Sequence, residues 1–102
     1  MDKKHVVVVG GGITGLVAAY RLGRLSAAGQ PLTCTLIEKE GRFGGKIATK
    51  RTDDYTLELG PDSIYTRKPA GMQFLREIGL ADQVVPVNPS GGRMPCRYAL
   101  SN

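Results

Sequence analysis

Few residues of this chain are placed to make or break bonds. One histidine, His5, precedes a run of valines, and the two cysteines, Cys34 and Cys96, stand 62 positions apart. That spacing gives no disulfide framework and no Cys-x-x-Cys knuckle. A lone histidine also leaves a zinc site of the usual type short of donors. Asp53, Asp54, Glu58 and Asp62 make no credible paired-carboxylate site, and no nucleophile–base set is visible. The spacing does offer phosphate binding. Gly10-x-Gly12-x-x-Gly15 is followed, 23 positions after its last glycine, by an acid, Glu38. This is the glycine pattern of dinucleotide-binding folds.

Each part of the pattern has a mechanical reason. Gly10 allows a tight turn, Gly12 lets the backbone approach a pyrophosphate, and Gly15 lets a helix pack closely on a strand. The backbone N–H groups from Gly11 through Ile13 and Thr14 then open a helix whose dipole favours phosphate charge. Glu38 can accept hydrogen bonds from both ribose hydroxyls of an adenosine, and an acid there repels a 2′-phosphate, which argues against NADP. With 14 glycines in the chain, the glycines alone are weak evidence, so the weight falls on their context.

The context is a βαβ unit. His5–Val9 is a solid β-branched run, and a continuous run rather than an alternating one predicts a strand buried on both faces, as in a parallel sheet. Gly10-Gly11-Gly12 breaks it. Ile13, Leu16, Val17 and Tyr20 then fall at helical spacing. Gly23 weakens that helix by roughly 1 kcal/mol relative to Ala, and Gly29-Gln30-Pro31 ends it. Leu32–Glu38 is the second strand, joined through a crossover that is right-handed almost without exception.

Beyond the unit lies a glycine-rich loop, Gly41–Gly45. Ile47–Thr52 and Tyr55–Leu59 read as a hairpin turning at Asp53-Asp54, and Gly60–Ser63 is a loop. Ala70–Ile78 carries Met72, Leu75 and Ile78 at helical spacing, with Gly79 as its C-cap. Val84–Val87 is expected to be extended, Asn88–Pro95 to be loop, and Tyr98–Leu100 to begin a strand. There is no internal repeat.

Composition sets the outer limits. The chain has 102 residues, 41% hydrophobic and 23% charged, which is an ordinary globular composition for one domain. Its early apolar run is too short for a signal-peptide core or a membrane span, and its cysteine usage fits a reducing, intracellular home. The net charge of +5 invites a nucleic-acid reading. The basic residues are spread from Lys3 to Arg97, however, and the cluster Arg42, Lys46, Lys50, Arg51 has few aromatic neighbours. No nucleic-acid partner is expected; such a cluster beside glycines equally suits a phosphorylated small molecule.

The residues after Glu38 narrow the reading. Glu38-Lys39-Glu40-Gly41-Arg42-Phe43-Gly44-Gly45-Lys46 resembles the extended signature of the amine-oxidase-like flavoproteins, in which an acid on the second strand precedes an Arg-x-Gly-Gly-Lys/Arg turn. Gly60-Pro61-Asp62-Ser63 and Arg67-Lys68-Pro69 further resemble a motif pair of the protoporphyrinogen and coproporphyrinogen oxidases, and Leu75–Leu80 is similar to their following helix. The resemblance covers residues 5 to about 90 and a small part of a family member, since such proteins are several times longer. Two features depart from it: a somewhat long connection at Gly29–Leu32, and a tail, Ser90–Asn102, without a placeable motif.

By that resemblance the cofactor is FAD. Arg42 and Lys46 would lie near its phosphates or adenosine side, with the Gly44-Gly45 turn presenting backbone N–H groups, and Lys39 would be a further cofactor-binding residue. Gly60, Pro61, Asp62 and Ser63 would lie against the flavin or its ribityl phosphate. The fold class implied is α/β: a Rossmann-like βαβ unit (1–40), then turn, hairpin and loop (41–69), then a helix and tail (70–102), together the N-terminal part of an incomplete FAD-binding domain. The activity implied is oxidation of a porphyrinogen to a porphyrin in haem biosynthesis, with oxygen as acceptor and hydrogen peroxide as product. The setting implied is the cytoplasm, with peripheral membrane contact open. The flavin carries such chemistry, so no catalytic side chain and no metal ligand is assigned, and this chain alone is expected to be inactive. Three alternatives stay open: an amine- or carotenoid-oxidising relative, an NAD-dependent enzyme on the same unit, and a non-enzymatic binding fragment with uncovered sheet edges.

Overall fold

The computed structural model describes residues 2–86. The expectations for Val87, for Asn88–Pro95, for Cys96 and for the strand at Tyr98–Leu100 fall outside the described residues. The chain divides into two compact units, residues 1–63 and 64–102.

The first unit opens with strand β1 (Lys4–Val9), helix α1 (Ile13–Ala27) and strand β2 (Leu32–Ile37). The strands pair in parallel from Lys4↔Leu32 to Val9↔Ile37. The ladder runs one residue further, because the Gly10 N–H donates to the Ile37 carbonyl at 2.7 Å. Val6 and Val8 of β1 and Cys34 and Leu36 of β2 are half-buried. They alternate with exposed residues, and strand periodicity puts them together on one face. α1 packs against both strands, and its half-buried residues are Gly15, Leu16, Val17, Ala19, Tyr20 and Leu22.

Two expectations are corrected here. β1 is not buried on both faces: Val7 is 48% exposed and Val9 82% exposed, as is Ile37 of β2 at 51%. Among the described residues of the first unit, no other element packs on that side of the sheet. The unbroken valine run therefore reports a strand made to be covered twice and covered here once. Ile13 does not join the packed face of α1 either; it is 52% exposed. It is the first helical residue, placed where the chain has just turned back from β1.

α1 spans 15 residues, about four turns, and Gly23 does not break it. It ends in a Schellman motif: the Gly29 N–H donates to Ser26 O and the Gln30 N–H to Leu25 O, each at 3.0 Å. On the bare face His5 bridges two threonines of β2, through Nδ1 to Thr33 Oγ1 at 2.7 Å and Nε2 to Thr35 Oγ1 at 3.2 Å. His5 thus laces the sheet.

The hairpin forms at the expected place but is shorter: β3 (Thr49–Arg51) pairs antiparallel with β4 (Thr56–Glu58). Its turn, at Asp53-Asp54, is held by Thr52, whose N–H donates to the Tyr55 carbonyl at 2.9 Å. The Thr52 hydroxyl accepts the Asp54 and Tyr55 N–H groups at 3.3 and 3.1 Å, a local side-chain turn that competes with the ladder.

In the second unit, helix α2 (Pro69–Glu77) begins with proline at its first position, where a missing N–H costs nothing. Met72, Leu75 and Ile78 are half-buried at the expected spacing. The end is a second Schellman motif, with Gly79 N–H to Arg76 O at 3.2 Å and Leu80 N–H to Leu75 O at 2.8 Å. A single turn of 3-10 helix, Ala81–Gln83, comes next. The periodicity gave no sign of it, because three residues are too few to show a period.

Candidate dinucleotide site

The site lies in the first unit, where β1 hands over to α1. Gly10 turns the chain with φ +103°, a backbone region that side-chain-bearing residues avoid. Gly15 is where α1 meets that turn. A Cβ on Gly15 would lie 1.8 Å from the Gly10 carbonyl oxygen and 3.5 Å from Val8 Cγ1, so only glycine lets helix and strand approach this closely. At Gly12 the reverse holds: a Cβ would meet nothing within 4 Å. The space beside that backbone is open to an incoming group.

Gly12 is the N-cap of α1. No side chain caps the helix there, and no acid occupies its first turn. The first bond of the helical ladder runs from Leu16 N–H to Gly12 O at 2.9 Å, so the Ile13, Thr14 and Gly15 amides precede it. Ile13 and Thr14 are exposed. The positive end of the helix dipole is thus offset by no carboxylate of its own first turn, which suits a phosphate.

Gly11 alone among the described residues is buried. A Cβ there would strike Phe43 Cδ1 at 2.6 Å and the Glu38 side chain at 3.2–3.3 Å. Its N–H donates to Glu38 Oε1 at 2.9 Å, and its carbonyl accepts the Gly44 N–H at 2.8 Å. Gly12 and Gly44 form an isolated parallel bridge. The glycine loop and the Gly44-Gly45 turn therefore fold against each other backbone to backbone, which glycines at these positions permit.

Glu38 stands one residue beyond β2, half-buried. Its Oε2 accepts the Glu40 N–H at 2.7 Å, while Oε1 holds Gly11. The Glu40 amide, and after it the Gly11 amide, hold the carboxyl below the ordinary glutamate range, and the neighbouring Lys39 charge acts in the same direction. Each oxygen keeps lone-pair capacity for a further donor, so the ribose hydroxyl role remains open to it.

Around Glu38 lies an open cleft of about 660 Å³ lined by Glu38, Glu40, Gly41, Arg42 and Gly45. Arg42 belongs to it, but its guanidinium is turned onto its own loop. Nη1 donates to Phe43 O and Ile47 O at 3.1 and 3.4 Å, and Nη2 to Gly45 O at 2.5 Å. Lys39, Gly45 and Lys46 are exposed. Gly60 packs on the same turn: a Cβ there would lie 2.0 Å from Lys46 O. Pro61, Asp62 and Ser63 come after it, exposed.

The structure thus joins the glycine loop, Glu38 and the Gly-Gly turn into one site, and sets Gly60 against the far end of that turn. Sequence reasoning does not reach Phe43, whose ring sits on Gly11; an aromatic between two glycine pairs carries no spacing signal. Among the described residues no group of acids, histidines and cysteines could hold a metal ion, and no helix is long and apolar enough to cross a membrane.

The residues present suit a dinucleotide, with open space at Gly12, a helix start without a carboxylate and a carboxylate just beyond β2. Residues 8–78 match the NAD(P)-binding Rossmann-like domain, and the chain belongs to that family. Its relatives include a coproporphyrinogen III oxidase of Propionibacterium freudenreichii, 45% identical over 89 residues, which are 87% of this chain and 16% of that protein. A solved structure, provisionally named a protoporphyrinogen oxidase, from Exiguobacterium sp. 255-15 superposes with a TM-score of 0.71 at 46% identity, over 80% of this chain and 18% of that one. An L-amino acid oxidase of Crotalus durissus cumanensis is 39% identical over 79 residues, 78% of this chain and 15% of that protein. The chain spans about a sixth of the length of these curated relatives.

Proposed function

We propose that this chain is the FAD-binding portion of a flavin-dependent porphyrinogen oxidase, with residues 1–102 the N-terminal part of its cofactor domain. The observation that carries the reading is the backbone contact between two separate motifs, Gly11-Gly12 and Gly44-Gly45, with Glu38 bonded to the first. A plain βαβ unit needs no second glycine turn on its phosphate loop. The porphyrinogen oxidase names of two relatives support the substrate class.

In this reading the amides from Gly11 to Gly15 receive the pyrophosphate and Glu38 holds the adenosine ribose. Lys39 and Lys46 supply positive charge near the phosphates. Gly60, Pro61, Asp62 and Ser63 face the flavin side. When bound, FAD supplies the electron acceptor that this chain's side chains lack. The chain's own work is to bind, orient and hold. The porphyrinogen and oxygen are the reactants, and haem biosynthesis in the cytoplasm or at a membrane surface is the setting.

A second reading, a flavoenzyme acting on an amine, is favoured by the similarity to the L-amino acid oxidase; it keeps the cofactor and changes the substrate. The test is the visible spectrum of the purified full chain after incubation with FAD and gel filtration. A retained flavin band, with FAD released and identified by mass spectrometry, is expected. A colourless, folded chain contradicts the reading, and retention of NAD in its place favours a nicotinamide enzyme.

A further inference from the structure

We propose that Arg42 is a positioning residue of the cofactor site, which sets the Gly44-Gly45 turn against the glycine loop and does not itself pair with the cofactor phosphates. The proposal rests on the dinucleotide-site reading above and revises the part that the sequence resemblance gives to this residue. Its basis is the convergence of three carbonyls, those of Phe43, Gly45 and Ile47, on one guanidinium.

The turn needs such a brace. Gly44 and Gly45 both lie at positive φ, +115° and +59°, and glycine pairs lose more freedom on ordering than other residues do. Yet the position of this turn is held closely. The Gly44 N–H reaches Gly11 O, and a Cβ on Gly45 would sit 3.1 Å from Gly12 Cα. A small shift of the turn would therefore move the backbone at which a pyrophosphate must dock. The three carbonyls also turn their partial negative charge toward one point, where a cation offsets it.

Arginine suits this task and lysine does not. Its planar fork presents donors in fixed directions, whereas an ammonium is a point charge on a flexible stem. Three of the five guanidinium donors are committed to the turn; the remaining two mean that direct phosphate pairing is the rival to be tested.

The test compares Arg42→Ala and Arg42→Lys with the unaltered full chain in two measurements. The first is amide hydrogen exchange at Gly44 and Ile47, whose N–H groups donate to Gly11 O and Gly44 O, with circular dichroism showing that α1 persists. The second is FAD affinity by flavin fluorescence at low and high ionic strength. Both variants are expected to speed exchange at the two amides and to weaken FAD by about tenfold, with lysine giving no rescue. The salt dependence of the FAD Kd should stay that of the unaltered chain.

Restoration of FAD affinity by Arg42→Lys, or a flattened salt dependence in Arg42→Ala, would overturn the proposal and make Arg42 a charge contact to phosphate. Unchanged exchange in both variants would overturn it as well. Failure of the unaltered chain to bind FAD would refute the cofactor reading instead, while the exchange measurement would still decide whether Arg42 holds the turn.

Discussion

The Glu38 carboxylate reaches the buried amide of Gly11, 27 positions earlier in the chain, at 2.9 Å. One residue just beyond β2 thereby fixes the loop at the end of β1. The same carboxylate is bonded to the Glu40 amide, so it also sets the start of the loop that leads to Arg42 and the Gly-Gly turn. In the proposed site, cofactor binding and loop order would share this group.

Replacing Glu38 by alanine should therefore do two things at once. FAD affinity falls by about tenfold or more, and the Gly11 amide, protected in the unaltered chain, exchanges quickly. Fluorescence titration reads the first and amide exchange by NMR the second. Unchanged FAD affinity would show that the acid does not hold the ribose. Glu38→Gln keeps one acceptor oxygen and should lie between the two.

The order of this loop should depend on pH with a definite sign. The folded-state carboxyl of Glu38 is held below its ordinary value near 4.5. The unfolded chain therefore takes up the proton first as pH falls, and folding loses stability as the proton is taken up. The contribution of Glu38 is fully present above its ordinary value and disappears as pH falls through the lower, folded-state value. Thermal melts or Gly11 exchange across that acidic range should show a loss that Glu38→Gln lacks.

Two glycines in the same helix should respond oppositely to alanine. Gly23→Ala adds a methyl into open space and is expected to stabilise by roughly 0.5–1 kcal/mol. Gly15→Ala drives a Cβ into the Gly10 carbonyl and should cost about 1–3 kcal/mol or more, with loss of FAD. Helix signal at 222 nm against temperature separates them. Equal behaviour would mean that α1 and the turn do not approach so closely.

Lys46 is exposed at the end of the Gly-Gly turn, so in the proposed site its part would be electrostatic. Lys46→Ala should weaken FAD several-fold at low ionic strength and scarcely at high, because an exposed charge is screened over about 8–10 Å. A loss independent of salt would instead mark a structural role.

Much of this was legible because the relevant signals are local. The change from a β-branched run to helical spacing marks β1 and α1; glycine and proline mark their ends, and the acid after Ile37 is the one that meets the glycine loop. The hairpin came out shorter because pairing is limited by its partner strand, and a run of suitable residues cannot show where pairing stops. Other features depend on contacts with no spacing rule. The commitment of Arg42 to three carbonyls is one, since carbonyls are the same at every residue. The seat of Phe43 on Gly11 is another. The bare face of β1 misled the reading for a different reason: Val7 and Val9 record the environment a strand is built for, and the described residues supply only one side of it.

The central claim is that the glycine loop, Glu38 and the Gly44-Gly45 turn form one FAD site. It is tested most directly by assigned amide NMR spectra of the full chain during titration with FAD. Shifts concentrated at Gly11, Gly12, Ile13, Thr14, Gly15, Glu40, Gly44 and Gly45 are the predicted result. Saturable shifts elsewhere, or none at these amides while the chain remains folded, would contradict it.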